Sequence, residues 1–139
     1  MITRTAKAVW KDTLKKGQGA LELGSGSYKG QYSFASRFEE GLGTNPEELI
    51  GAAHAGCFSM AFSNMLDEAG FPPKSVSTQA TVNLDAEKLA IASIDLRTVG
   101  DVPNIDESTF QEIATQAKSG CPISKALASV TINLNATLK

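Results

Sequence analysis

The stretch from Asn45 to Gly70, "NPEELIGAAHAGCFSMAFSNMLDEAG", decides the fold because it predicts one long helix. Asn45 is a typical N-cap residue, and Pro46 suits the first position of a helix. Acidic residues follow in the first turn, where the helix dipole favours them. We expect the helix to end near Glu68, because Gly70 and the two prolines behind it stop a helix.

This helix is apolar on every side, as its apolar positions show: Leu49, Ile50, Ala52, Ala53, Ala55, Phe58, Met60, Ala61, Phe62, Met65 and Leu66. A helix that is apolar all round has to be covered all round. Two sheets of about three strands each could barely wrap a helix of this length. We therefore expect a second copy of the chain to complete the cover. Polar residues inside the stretch, such as His54 and Asn64, argue against a membrane span.

The rest of the chain predicts strands and shorter helices. Strand patterns precede the long helix in "TAKAVW", "GALEL" and "QYSFASRF", and the alternation in the third places Arg37 on the side opposite its aromatic residues. After the helix, "SVSTQATVNLD" and "IASIDLRTVGD" predict an antiparallel pair of strands, and "SVTINLNATL" predicts a final strand. Helical spacing occurs between them in "DESTFQEIATQAKSG" and "PISKALA". The order indicates an α+β fold in one domain over residues 1–139.

Composition excludes several classes of function. The chain has 139 residues, of which 42% are hydrophobic and 20% charged, as in an ordinary globular protein. The formal net charge is −2 and the basic residues are scattered, which argues against a nucleic-acid partner. The N-terminal residues lack the apolar region of a secretory signal, so we expect a cytoplasmic protein with reduced cysteines. Two cysteines and one histidine are too few for a disulfide scaffold or a structural zinc site, and no cofactor or metal is expected.

Two cysteines and a histidine are the candidates for chemistry. Cys57 lies inside the long helix, where a free cysteine can serve as a small apolar packing residue. Cys121 lies at the predicted start of the "PISKALA" helix, a position that stabilises a thiolate; from physics alone it is the more reactive thiol, unless it is a mere turn residue. His54 stands one helical turn before Cys57, so it can form a Cys–His dyad or be hydrogen-bonded in the interior.

Taken together, "RFEEG", "GTNPEELIGAAHAGCFSMAF" and the distant "SGCPIS" closely resemble the OsmC branch of the OsmC/Ohr proteins, the osmotically inducible and organic hydroperoxide resistance families. The resemblance runs over nearly the whole chain. It implies an OsmC-like fold, with two small antiparallel sheets packed around a long buried central helix, in an intertwined homodimer. One position of the helix motif holds Gly56 where the family often has alanine.

The resemblance also implies a thiol-dependent peroxidase that reduces organic hydroperoxides to alcohols. Cys57 matches the peroxidatic cysteine and Cys121 the resolving cysteine, which converts a Cys57 sulfenic acid into an intramolecular disulfide. Arg37 matches the arginine that stabilises the thiolate and the leaving group, and Glu47 the acid that orients it; adjacent Glu48 is the alternative. His54 matches no role that the family requires. The implied reductant is an external dithiol, with lipoylated proteins as the donors.

A physical argument supports a cation beside Cys57. Burial raises the pKa of a thiol, whereas the thiolate is the form that attacks peroxide. A guanidinium near the sulfur favours the thiolate, and Arg37 can bind a carboxylate with its other edge. Glu47 is ten residues from Cys57, a rise of roughly 15 Å along one helix. A site within one chain needs Arg37 to bridge this gap or a kink near Gly51 or Gly56, so a shared site, with Glu47 of one chain serving Cys57 of the other, is the simpler expectation.

Two other functions remain open at this point. A thiol–disulfide oxidoreductase would also use two cysteines, although Cys57 and Cys121 are not a CxxC pair and no thioredoxin-like βαβ order precedes them. A non-enzymatic, stress-related dimeric binding protein would use the cysteines only for packing. A peroxide assay set against a scrambled-disulfide assay separates the peroxidase from the oxidoreductase, and thiols that stay unaltered after an organic peroxide would indicate the binding protein.

Overall fold

The computed structural model describes residues 1–139, and its elements confirm the α+β class with two three-stranded sheets and a long helix. The chain divides into two compact units, residues 1–49 and residues 50–139, and each is described by itself. The long helix starts in the first unit and runs through the second. The single domain expected from the sequence stays a prediction.

The first unit holds an antiparallel sheet of β1 (Ala6–Lys11), β2 (Gln18–Leu23) and β3 (Lys29–Tyr32), in that spatial order. The rings of Trp10 and Tyr32 lie 5.3 Å apart between centroids, across the middle strand. Gly19 lies beneath both rings, and a Cβ at that position would collide with them. The glycine therefore lets two aromatic residues of the outer strands meet over the sheet.

The prediction of a strand through Arg37 was wrong, because β3 ends at Tyr32 and a short helix, α1 (Phe34–Phe38), follows. A capping box causes this change. The Ser33 hydroxyl accepts a hydrogen bond from the Ser36 N–H at 3.1 Å, and the Ser36 hydroxyl accepts one from the Ser33 N–H at 2.8 Å. These reciprocal bonds satisfy the free amides of a helix start, so they outweigh the alternating aromatic pattern.

The long helix, α2 (Pro46–Glu68), has the ends that the sequence predicts. The Asn45 side chain accepts a hydrogen bond from the Glu48 N–H at 2.7 Å, which caps the N-terminus. At the other end, Gly70 has φ of +90° and the Phe71 N–H donates to the Leu66 carbonyl. A left-handed residue here is typical of a helix C-terminus, and glycine adopts this conformation without strain.

The second unit holds a sheet of β4 (Ser75–Asp85), β5 (Ala90–Asp101) and β6 (Thr131–Leu138). The first pair is antiparallel as predicted, but β6 runs parallel to β5, so the expectation of two antiparallel sheets was wrong for this one. Two helices, α3 (Glu107–Gly120) and α4 (Pro122–Ala126), connect β5 to β6. A connection of this length carries the chain back to the starting end of the sheet, which allows parallel pairing.

The core of the second unit lies between its sheet, α2 and α3. The rings of Phe58, Phe62 and Phe110 follow one another at 5.6 and 5.2 Å between centroids and link the two helices. All three are fully buried, as are Leu66 and Ile94. This packing fixes the side of α2 that faces inward, and with it the direction of every other residue on the helix.

The single chain covers α2 on one side only, so the expected burial on every side is not met within it. Ala52, Ala53 and Gly56 are exposed, and Met60 is 77% exposed. By length and composition the helix is also apolar enough to cross a membrane, and 28% of its most apolar segment is buried. Its inner side belongs to a protein core, which is typical of a helix in a globular protein.

Candidate active site

The structure brings Arg37 and Glu47 together in the first unit. The Arg37 Nη2 donates to Glu47 Oε1 at 2.7 Å, and the Nε lies 3.2 Å from both carboxylate oxygens. The guanidinium thus meets the carboxylate with one edge, in the fork geometry that makes such pairs strong and directional. The Glu47 side chain is 11% exposed and that of Arg37 38% exposed, so the acid is the fixed partner and the arginine keeps an open side.

Several hydrogen bonds hold this pair in place. The buried Ser36 hydroxyl donates to the Thr44 carbonyl at 2.7 Å, and the Asn45 amide donates to the Ser36 carbonyl at 3.1 Å. These bonds attach α1 to the start of α2, which places Arg37 beside the first turn that carries Glu47. The adjacent acid, Glu48, accepts instead from the Thr44 hydroxyl at 2.7 Å. The partner of Arg37 is therefore Glu47 and not Glu48.

An aromatic pocket of about 240 Å³ opens beside Arg37 in the same unit. Most of its lining is apolar: Trp10, Leu14, Tyr32, Ser33, Phe34, Arg37 and Phe38. The guanidinium carbon lies 5.3 Å from the centroid of the Phe38 ring, a cation–π distance. The pocket was not predicted from the sequence, because its aromatic residues come from two strands and from the helix α1, and α1 was predicted as part of a strand.

In the second unit, the sulfur atoms of Cys57 and Cys121 lie 2.6 Å apart although 64 residues separate them in the chain. Both thiols are free. Cys57 is partly exposed, whereas Cys121 is completely buried. A disulfide needs a sulfur–sulfur distance of about 2.05 Å, so a small movement suffices to join them. Of the two cysteines, only Cys57 is partly exposed to solvent.

The surroundings of Cys57 act on its ionisation in both directions. Burial raises the pKa of the Cys57 thiol, and the neighbouring Cys121 thiol raises it further. The nearby Ile123 backbone N–H lowers the pKa by a smaller amount. Because the raising effects are larger, the second unit keeps Cys57 mainly as a neutral thiol. A cation is needed to make the thiolate abundant at neutral pH.

Cys121 occupies the N-cap position of α4 as predicted, but its side chain makes no capping hydrogen bond. A backbone N–H in the first turn of this helix, that of Ile123, lowers the pKa of the Cys57 thiol. The helix start therefore also favours ionisation of Cys57, and the order of reactivity of the two thiols stays a prediction. Sequence spacing cannot show this effect of Ile123 on Cys57, because the two residues come from distant elements.

His54 is fully buried and does not pair with Cys57. Its Nε2 lies 2.8 Å from the Ser124 hydroxyl, and its Nδ1 is buried without a hydrogen-bond partner. Burial lowers the pKa of this imidazole. The interior, hydrogen-bonded histidine is the alternative that the structure supports, and Ser124 is its previously unrecognised partner. No group of three or more His, Cys, Asp or Glu side chains is arranged to hold a metal ion.

Comparison with known proteins identifies the family. A family model described as OsmC-like protein matches residues 39–135. The chain is 49% identical over 136 residues to Peroxiredoxin OsmC of Escherichia coli (strain K12), with 95% of each chain covered. A curated protein of the same name from Shigella flexneri matches to the same extent.

Solved structures share the fold at low sequence identity. An organic hydroperoxide resistance protein from Elizabethkingia anophelis superposes with a TM-score of 0.78 and 20% identity, covering 100% of this chain and 98% of that one. The OsmC protein of Legionella pneumophila gives a TM-score of 0.74 at 23% identity, covering 99% and 98%. With a family model matching most of the chain and a relative 49% identical over nearly all of it, this chain belongs to the OsmC-like family and is an enzyme of the peroxidase type.

Proposed function

We propose that the protein reduces organic hydroperoxides to alcohols, with Cys57 as the peroxidatic cysteine and Cys121 as the resolving cysteine. The observation that carries this assignment is the pair of free sulfurs 2.6 Å apart with unequal exposure. Peroxide arrives from solvent and meets the partly exposed Cys57 first. The buried Cys121 is shielded from peroxide but lies within reach of an oxidised Cys57.

In the first step, the Cys57 thiolate attacks the terminal oxygen of the hydroperoxide in line with the O–O bond. That bond breaks, the sulfur becomes a sulfenic acid, and the alkoxide leaves as the alcohol after taking a proton. Negative charge grows on the leaving oxygen, so a fixed cation beside it lowers the barrier. Arg37 takes this role in the proposal, and the buried Glu47 carboxylate holds its guanidinium in one orientation.

Arg37 also supplies what the surroundings of Cys57 lack. The pKa of that thiol is raised by burial, and a guanidinium near the sulfur shifts the equilibrium back to the thiolate. The Nε and Nη2 of Arg37 face Glu47, which leaves the Nη1 edge for a second, negatively charged partner. A lysine could not serve both groups with this geometry, because its ammonium is a single point charge.

The pocket beside Arg37 favours an organic substrate. Its aromatic lining and volume of about 240 Å³ suit an alkyl or aryl group, while the guanidinium suits the peroxide oxygens. Hydrogen peroxide has no apolar part to bury, so an apolar lining adds no binding free energy for it. We therefore assign the aromatic pocket to the organic part of the hydroperoxide.

A homodimer is the assembly that best combines these parts. The exposed side of α2 includes the small and apolar residues Ala53, Gly56 and Met60, which a second copy of the chain can cover. Glu47 and Cys57 lie on one helix, separated by a rise of roughly 15 Å. In the proposed two-fold dimer, Arg37 and Glu47 of each chain face Cys57 of the other, which builds two equal sites.

The second step forms a disulfide between the two cysteines, and reduction of that disulfide then regenerates the free thiols. The Cys121 sulfur attacks the Cys57 sulfur, the S–O bond breaks, and the oxygen leaves as water with the thiol proton. An external dithiol then reduces the disulfide by exchange and is itself oxidised to a disulfide. Lipoylated proteins carry a dithiol of this kind and are the proposed donors, in a cytoplasmic setting that keeps thiols reduced.

Mass spectrometry of the intact protein tests the proposal directly. After one equivalent of cumene hydroperoxide, the expected product has lost two hydrogens and carries a disulfide between Cys57 and Cys121, with one equivalent of alcohol released. A thiol–disulfide oxidoreductase would ignore the peroxide and rearrange a scrambled protein substrate. Thiols that stay unaltered under both treatments would contradict any redox role, and a non-enzymatic binding protein would then be the remaining hypothesis.

A further inference from the structure

A buried hydrogen bond runs beside the two sulfurs. The His54 Nε2 and the Ser124 hydroxyl are 2.8 Å apart, in a site where His54 is completely buried and Ser124 is 5% exposed. His54 precedes Cys57 by three residues on α2, and Ser124 follows Cys121 by three residues on α4. Three residues are about one helical turn. The bond therefore joins α2 to α4, one turn from Cys57 on α2 and three residues after Cys121, the N-cap residue of α4.

The short helix α4 has few other polar attachments. It spans five residues, and its N-cap residue makes no side-chain capping bond. Leu127, which follows it, is partly buried against the core, but apolar packing alone fixes a helix less strictly than a directional hydrogen bond. Separating two polar groups that are buried in this way costs free energy, because neither group gains a hydrogen bond to water in exchange. The His54–Ser124 bond is thus a strong restraint on where α4 lies along α2.

We propose that His54 is a positioning residue for disulfide formation. Through Ser124 it holds α4 so that the Cys121 sulfur stays behind the Cys57 sulfur, on the buried side, while Cys57 is a sulfenic acid. This inference rests on the proposed function. Attack on a sulfenic acid has to come opposite the S–O bond, and the oxygen arrives from the exposed side. The restraint therefore favours the in-line geometry that the second step needs and has no part in the first.

The test separates the two chemical steps in single-turnover experiments with cumene hydroperoxide. The variants are Ser124→Ala, which removes the hydroxyl, and His54→Phe, which keeps an aromatic ring but removes both nitrogens. In both, we expect the loss of peroxide to stay within about twofold of the unaltered protein and disulfide formation to slow on the order of tenfold, since small displacements of reacting groups cost at least this much. The sulfenic acid, trapped by dimedone on Cys57, should persist correspondingly longer.

A further variant and a matched control distinguish positioning from general loss of stability. His54→Gln places an amide near the original Nε2 and should recover part of the rate of disulfide formation. Ser59→Ala is the control, because Ser59 also lies on α2 near Cys57 but donates its hydrogen bond to Thr78 of the sheet, at 2.8 Å. That variant should form the disulfide at the original rate. An equal slowing in Ser59→Ala would overturn the inference.

The outcomes for the proposed function and for this inference differ. If the unaltered protein forms no disulfide with the hydroperoxide, the proposed function fails. If it forms the disulfide and Ser124→Ala does so equally fast, the role of His54 is refuted and the proposed function stands. Should the His54→Phe protein not fold, the smaller change in Ser124→Ala still decides, since it deletes one oxygen atom.

Discussion

The sulfur of Cys57 lies 2.6 Å from that of Cys121, but Cys57 is partly exposed whereas Cys121 is fully buried. This asymmetry underlies the different roles that we propose for two chemically identical groups. In the proposed mechanism, Cys57 reacts with the hydroperoxide and Cys121 reacts only with the oxidised Cys57. The Ile123 N–H, which assists ionisation of Cys57, adds to the difference.

The two cysteines should therefore fail in different ways when they are replaced. Cys57→Ser is expected to consume no hydroperoxide. Cys121→Ser should consume one equivalent and stop at a sulfenic acid, which dimedone labels on Cys57 and mass spectrometry locates. A label on Cys121 in the Cys57→Ser protein would reverse the assignment and make the buried thiol the primary nucleophile.

Arg37 is expected to act by its charge. In Arg37→Ala the pKa of Cys57 should rise, because burial and the Cys121 thiol already raise it and the opposing cation is gone. The rate of alkylation by iodoacetamide should then reach its midpoint at a higher pH. The peroxide step should slow by roughly 10²-fold, the usual cost of a lost electrostatic partner in a transition state. Arg37→Lys should recover part of this loss, and an unchanged pH profile in Arg37→Ala would remove Arg37 from the mechanism.

The aromatic pocket should set the preference among peroxides. Phe34→Ala enlarges the pocket and removes apolar contact with the substrate, so kcat/KM for cumene hydroperoxide should fall on the order of tenfold. The value for hydrogen peroxide should stay nearly constant. Tyr28→Ala is the matched control, because Tyr28 is an aromatic residue of the same unit outside the pocket. Equal losses for both peroxides in Phe34→Ala would indicate a structural effect and contradict the assignment.

The only histidine should make stability depend on pH. The pKa of His54 in the folded state lies below its ordinary value of 6.5, because burial disfavours the charged ring. Between the folded and the unfolded pKa, the unfolded chain binds more protons, so the free energy of unfolding falls as pH drops below about 6.5. Above that pH the effect is absent. Urea denaturation from pH 7.5 to 5 should show this fall in the unaltered protein and a smaller one in His54→Gln; identical slopes would show that His54 does not titrate on unfolding.

The sequence predicted the long helix accurately because its signals are local. The Asn45 cap, the proline and acids behind it, and the glycine at the other end all lie within or next to the helix. The prediction from the sequence was wrong at α1, where the alternating aromatic residues after Tyr32 suggested a strand. The capping box of Ser33 and Ser36 starts a helix there. Serines also fit the polar side of a strand, so these two residues did not indicate the helix in the sequence.

The parallel pairing of β6 could not be predicted by periodicity, because alternation shows which side of a strand is apolar but not the direction of its neighbour. The candidate site was predictable only through the family motif. Nothing in the spacing of residues 64 positions apart shows that Cys57 and Cys121 meet, nor that a backbone N–H of α4 lowers the pKa of Cys57. Such contacts depend on tertiary packing, which no local pattern contains.

The position of Glu47 on α2 leads to the last prediction. It lies ten residues before Cys57, so the two residues are separated by a rise of roughly 15 Å and by about 80° around the helix axis. The helix is continuous from Pro46 to Glu68. In the proposed dimer, each site takes Cys57 from one chain and the Arg37–Glu47 pair from the other.

A mixture of two inactive variants tests this sharing of residues. Glu47→Ala and Cys57→Ser proteins, each nearly inactive alone, are unfolded together in equal amounts and refolded. Hybrid dimers then pair the intact Cys57 of the first chain with the intact Glu47 of the second, which restores one of their two sites. Random pairing makes about half of the dimers hybrids, so activity should return to about a quarter of the unaltered level. The control is a mixture of the same proteins folded separately, which should stay inactive unless chains exchange. If hybrids are present, as tags of different mass on the two chains can show, and activity is still absent, both residues act within one chain and the shared site is wrong.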